Sequence, residues 1–190
     1  LDDLVFSEPS NEEIYIQKAN IYSKRKLHLR AIACLNEILK FSSDNPEVYS
    51  LIGIEYLFME DFENAKINFI NCLKHDESDY SALYNIIYCF EILEQNESAI
   101  EYLNNYLDSN PYCEVAWHQL GKQYLFYKNY KKAISAFDFA IISDEYFIGA
   151  YIEKGKALEK LSKYQEAIEN YKLIIALKDE SSYPILRMGI

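Results

Sequence analysis

The sequence predicts an all-α fold, a solenoid of antiparallel helix pairs, and three observations predict it. Ala31, Ala65, Ala99, Ala133 and Ala167 recur at a constant interval of 34 residues with no insertion, as in a chain built from one repeated unit. Around the fourth of these stand Trp117, Leu120, Gly121, Tyr124, Phe137 and Ala140, and similar apolar, aromatic and small residues recur in the same places in the other units. Gly (5) and Pro (4) are too scarce for the many turns of a sandwich or barrel.

These spacings resemble the tetratricopeptide repeat, whose signature is W-x2-L-G-x2-Y, then an Ala, then an aromatic, over the same interval. One interval toward the C-terminus, Tyr151, Gly155, Leu158, Ala167 and Tyr171 fill those slots. Toward the N-terminus they hold Leu83, Phe90, Ala99 and Leu103, then Tyr49, Ile52, Gly53, Tyr56, Ala65 and Phe69, then Tyr15, Ala19, Tyr22, Ala31 and Leu35. The resemblance covers essentially the whole chain. It implies a right-handed superhelix with a concave groove, in which each helix pair buries its apolar face against its neighbours.

Taken in order, residues 1–11 are acidic and too short for a signal peptide. Leu1 and Leu4 fit a second helix and Pro9 its end, so the segment is expected to be the tail of a preceding repeat. Repeat one, 12–45, has Ile14, Tyr15, Ala19 and Tyr22 at helical spacing, then Ala31, Ile32, Leu35, Ile38 and Leu39. Its turn, Ser23-Lys24-Arg25-Lys26, is the only basic cluster. Repeat two, 46–79, opens on Asp44 or Asn45 as a cap and Pro46 in the first turn, where a missing N–H costs nothing. Gly53 lets its second helix approach closely, and Glu60-Asp61 marks the turn.

Repeat three, 80–113, departs most from the pattern. Leu83 replaces Trp, Ile87 replaces the small residue and Tyr106 replaces Ala, bulk expected to spread its helices or change their crossing angle. Asn110-Pro111 closes it. Repeats four (114–147) and five (148–181) fit best. Residues 182–190 restart the register with Ile185, Met188 and Gly189. The expectation is five whole repeats cut from a longer array, with self-association possible through the open ends.

Half the residues are apolar and 15% aromatic, ample for a core. No run of 18 apolar residues exists, so no membrane span is expected. The net charge is −11, and residues 80–113 contain no Lys or Arg. Nucleic acid is not an expected partner, because its phosphates need clustered cations. The acidic surface reads either as an aid to solubility or as attraction to a basic segment. Cys34, Cys72, Cys89 and Cys113 stand far apart without metal spacing. They read as small buried hydrophobes in a reducing compartment.

No catalytic or metal-binding constellation is found, and no cofactor is expected. Gly149 to Ala157 resembles a phosphate loop only faintly, since Ala157 stands where Ser or Thr would hold magnesium. His28, His75 and His118 fall in unrelated slots, and Asn96-Glu97-Ser98 is a chance glycosylation triplet in an Asn-rich chain.

Within the resembled family, ligands lie in the groove lined by first helices. Carried over slot by slot, the candidate peptide-binding residues are Ile16 and Asn20 in repeat one, Ile54 and Phe58 in repeat two, and Tyr84, Tyr88 and Ile92 in repeat three. Repeat four offers His118, Lys122 and Phe126, and repeat five Ile152 and Lys156. The carboxylate clamp of co-chaperone members is absent, because Ile16, Leu51 and Val115 stand where it needs polar or basic groups. The expected function is a non-catalytic scaffold holding an apolar and acidic partner peptide or helix. The alternative is the recognition array of a larger enzyme or signalling protein. General resemblance points to a bacterial cytoplasmic protein.

Overall fold

The computed structural model describes residues 11–187, with side chains described through residue 177. The calls on Leu1, Leu4, Pro9, Met188 and Gly189 lie outside those residues. Ten α-helices and no strand are present among the described residues: α1 Glu12–Lys24, α2 His28–Leu39, α3 Pro46–Phe58, α4 Phe62–His75, α5 Tyr80–Ile92, α6 Asn96–Ser109, α7 Glu114–Phe126, α8 Tyr130–Ser143, α9 Ile148–Lys160 and α10 Tyr164–Arg187. The chain divides into two compact units, one ending at Gln95 and the other beginning at Asn96. The division falls inside repeat three.

Side-chain caps mark most helix starts, while the helices after Leu27 and Phe147 begin without one. Asn11, Asn45, Asp61, Asp79 and Asn129 each accept a hydrogen bond from the backbone N–H three residues on, which satisfies a donor the helix itself cannot. At Cys113 the Sγ accepts from the Ala116 N–H at 3.4 Å.

Each first helix ends in the same way. Lys26, Glu60, Glu94, Lys128 and Ser162 all have φ between 56° and 58°, the left-handed region that usually calls for glycine. In every repeat the next residue's N–H reaches back five positions: Leu27 to Tyr22, Asp61 to Tyr56, Gln95 to Phe90, Asn129 to Tyr124 and Lys163 to Leu158, at 2.8–3.0 Å. Paired with the shorter bond from the left-handed residue itself, this closes orphan carbonyls of the first helix.

Within the first unit α1 packs on α2, α2 on α3, α3 on α4 and α4 on α5. Tyr15, Ala19, Ala31, Ile32, Leu35, Ile38, Val48 and Ile52 form one core cluster there. In the second unit α6 packs on α7, α7 on α8, α8 on α9 and α9 on α10, around Ala133, Phe137, Ala140 and Ala150. The recurring alanines are 0–2% exposed.

Glycine sets the closest approaches. A Cβ on Gly53 would lie 2.8 Å from the Phe69 ring, one on Gly121 would lie 2.4 Å from Phe137, and one on Gly155 would lie 2.3 Å from Tyr171. In repeat three the same register holds Ile87 and the smaller Leu103, both buried. The aromatic at the fourth slot also has a polar task. Tyr49, Trp117 and Tyr151 each donate to a carbonyl six residues earlier, at 2.8–3.1 Å. Each ties the preceding turn to its first helix. Leu83 cannot. The last helix, 24 residues long, runs on through residue 182, where the sequence register restarts.

Candidate partner-binding faces

Successive turns of a helix present residues four apart on one face, and this rule places the candidate residues. In the first unit α3 carries Ile54 and Phe58, and α5 carries Tyr84, Tyr88 and Ile92. Phe58 is 63% exposed, Tyr84 41%, Tyr88 45% and Ile92 47%. Tyr88 meets Phe62 edge-on at 6.1 Å, and Phe58 stacks on His28 at 5.5 Å. On α1, Asn20 is exposed, whereas Ile16 is half-buried against the core cluster. Ile54 is half-buried as well.

In the second unit α7 and α9 approach each other directly. Phe126 is 66% exposed and packs edge-on to Tyr127, and Ile152 is 39% exposed. Lys156 is paired with Glu153 at 2.7 Å, so its charge is matched. Lys122 meets the neutral amide of Gln119, at 3.4 Å, and no carboxylate among the described residues.

His118 is placed differently from the rest. Its imidazole packs against Phe137 and Phe147, at 5.8 and 5.2 Å, with both ring nitrogens buried and unbonded. Burial, helped by the nearby Lys122 ammonium, pulls its pKa down to about 4. The ring serves the interior of the helix pair. Its slot gave no warning, because the aromatics that receive it come from two other elements.

All four cysteines are buried. Burial, with a hydrogen bond to Asp79, pushes Cys72 up to about 12, and burial pushes Cys89 up to about 11. Thiols held this far from ionisation are poor nucleophiles. Among the described residues no group of three or more His, Cys, Asp or Glu is placed to hold a metal ion. No described helix is long and apolar enough to cross a membrane.

Sequence reasoning missed one pairing. His28 Nδ1 lies 2.8 Å from Glu55 Oε2, and Glu55 is only 7% exposed. The two stand in different repeats, so no local spacing signals them.

The family model of the tetratricopeptide repeat matches residues 12–45, 46–79 and 148–181, together more than half of the chain. Repeat four, read from the sequence as one of the best fits, is not among the matched segments. The chain is 24% identical over 176 residues to Anaphase-promoting complex subunit 3 of Schizosaccharomyces pombe (strain 972 / ATCC 24843), covering 93% of this chain but 26% of that protein. It thus spans about a quarter of that relative's length. Among solved structures it is similar to MamA, with a TM-score of 0.68 and 21% identity over 92% of this chain and 96% of that one. It is also similar to YrrB, a TPR protein with an unusual peptide-binding site, with a TM-score of 0.60 and 20% identity over 100% and 97% of the two chains.

Proposed function

The chain belongs to the tetratricopeptide repeat family, and from that premise we propose that it is a non-catalytic protein-interaction scaffold whose first-helix faces hold a partner peptide or helix. The observation that carries this reading is the exposure of large apolar side chains on first helices: Phe58, Tyr84, Tyr88 and Ile92 in one unit, Phe126 and Ile152 in the other. Aromatics have few rotamers to lose and make effective anchors. Asn20 and Lys122 supply polar contacts at the same faces, and Lys156, already paired, sits at the margin. Ile16 and Ile54 shape the floor. His118 supports the face from beneath.

A second reading has its own support. The chain spans only a quarter of a relative named as a complex subunit, which suits the recognition array of a larger assembly, enzymatic or signalling. A cytoplasmic setting, bacterial by general resemblance, is part of the proposal. Four buried cysteines suit a reducing compartment.

A pull-down with the chain as bait, beside a folded Tyr84→Ala/Tyr88→Ala/Phe126→Ala variant, tests the first reading. A partner retained by the native chain and lost by the variant is the expected result. Equal retention by both would move binding off these faces.

A further inference from the structure

The turn joining α1 to α2 gathers cations in an otherwise acidic chain. Lys24 and Lys26 are exposed, and neither pairs with a carboxylate among the described residues. Elsewhere Lys40, Lys66, Lys156, Lys163 and Lys172 each meet a Glu three residues away. The unpaired lysines border a cleft of about 480 Å³ lined by Ser23, Lys24, Lys26, His28 and Phe58.

The cleft is held in shape from the inside. Glu55, buried on α3, engages His28 Nδ1, while the Phe58 ring stacks on the imidazole. Glu55 is thereby engaged by His28 rather than by the lysines, and Nε2 is the ring nitrogen it leaves unengaged. One wall is thus cationic and polar, and the other is an aromatic ring that is 63% exposed.

Other repeats do not build this. The registers of Lys24, Lys26 and His28 hold Phe58, Glu60 and Phe62 in repeat two, then Ile92, Glu94 and Asn96, then Phe126, Lys128 and Tyr130, then Lys160, Ser162 and Tyr164, so no other repeat carries both lysines and the histidine. The cleft is particular to repeat one and lies beside the candidate face of the same unit, with Phe58 common to both.

We propose that this cleft binds an Asp or Glu side chain of a partner peptide, with Lys24 and Lys26 supplying the charge. Phe58 is the platform for the apolar residue next to it. The proposal rests on the partner-binding reading and narrows the ligand of the first unit to a segment that couples acidic and apolar residues. Charge complementarity favours this occupant: two exposed cations beside a low-dielectric ring attract a carboxylate more strongly than two cations in open water.

The test uses the full chain and a fluorescein-labelled peptide, acetyl-Asp-Glu-Phe-Asp-Glu-Leu, beside its neutral Asn/Gln counterpart, read by fluorescence anisotropy. The acidic peptide is expected to bind more tightly than the neutral one. Lys24→Glu/Lys26→Glu should weaken it about tenfold, as expected from removing two partly screened charge pairs. Lys128→Glu/Lys131→Glu, the same charge change in the other unit, should leave it unchanged. The cleft variant should fold, since Glu60 and Glu94 already occupy the register of Lys26; circular dichroism checks this.

Equal affinity for both peptides, or no loss in the cleft variant, overturns the proposal. So does displacement of the acidic peptide by inorganic phosphate where acetate has no effect, which reassigns the cleft to phosphate groups. Dimers seen in sedimentation and abolished by the cleft variant would reassign it to the acidic middle of a second copy. The two readings fail separately: alanine substitution of Tyr84, Tyr88 and Phe126 tests the face, and charge reversal tests the cleft.

Discussion

At the scale of single residues, the imidazole of His118 packs against Phe137 and Phe147 with both ring nitrogens buried and unbonded, so protonating it inside the fold is unfavourable. Its folded pKa of about 4 lies below the ordinary value near 6.5. The unfolded chain therefore binds the proton first, and stability from this residue is lost as pH falls from about 6.5 toward 4. Between pH 7 and pH 4.5 the loss should be about 2 kcal/mol. Urea unfolding at both pH values, on the native chain and on His118→Phe, isolates it from the titrating carboxylates. The native chain should lose about 2 kcal/mol more than the variant. An equal loss would mean that the ring is open to water. Gly53 teaches a related lesson at this scale. Its small size reads from the sequence as permission for close helix approach, and the Phe69 ring fills the space a Cβ would need.

At the scale of helices, the cap at Asn45 and the turn at Glu60-Asp61 were legible, and the left-handed backbone of the turns was not. Asn45 and Pro46 announce a helix by chemistry that acts within a few residues. The left-handed ends at Lys26, Glu60, Glu94, Lys128 and Ser162 carry no glycine and so no signal. They hold because a long backbone bond closes each helix behind them. An L-residue there costs roughly 1–2 kcal/mol in conformational strain, while glycine loses more entropy on folding. The first effect exceeds the second, so Lys128→Gly should stabilise the chain by about 0.5–1 kcal/mol. The side chain removed is exposed. The midpoint of urea unfolding checks this, and a lower midpoint would show that the left-handed turn is unstrained at Lys128. The candidate faces came from the family resemblance, slot by slot, and Tyr84 and Tyr88 stand exposed there. The His28–Glu55 pair was not legible, because it joins residues 27 apart through tertiary packing.

At the scale of the whole molecule, the array was the most legible feature, because a constant interval survives drift at any one slot. Charge acts at this scale as well. The formal charge of −11 equals that of residues 46–113 taken alone, so like charges crowd the middle repeats and oppose compactness. The local ion pairs are mostly exposed i,i+3 contacts, worth well under about 1 kcal/mol each and weakened by salt. Relief of the broader repulsion should win. The melting temperature should therefore rise between about 0.02 and 0.3 M NaCl, by about 2–4 °C for each kcal/mol relieved. Differential scanning calorimetry reads this directly, and a falling midpoint would give the balance to the ion pairs.

The turns closed by backbone bonds have a consequence for how such a chain changes over time. Where a bend is secured by main-chain atoms, its side chain is released from any structural duty. Two lysines, two glutamates and one serine already share that station across the five repeats. Substitutions there can accumulate without unmaking the scaffold, so the edge beside each turn is a writable margin. A lineage, or a protein engineer, can respell one repeat's preference for charge while every other repeat keeps its own.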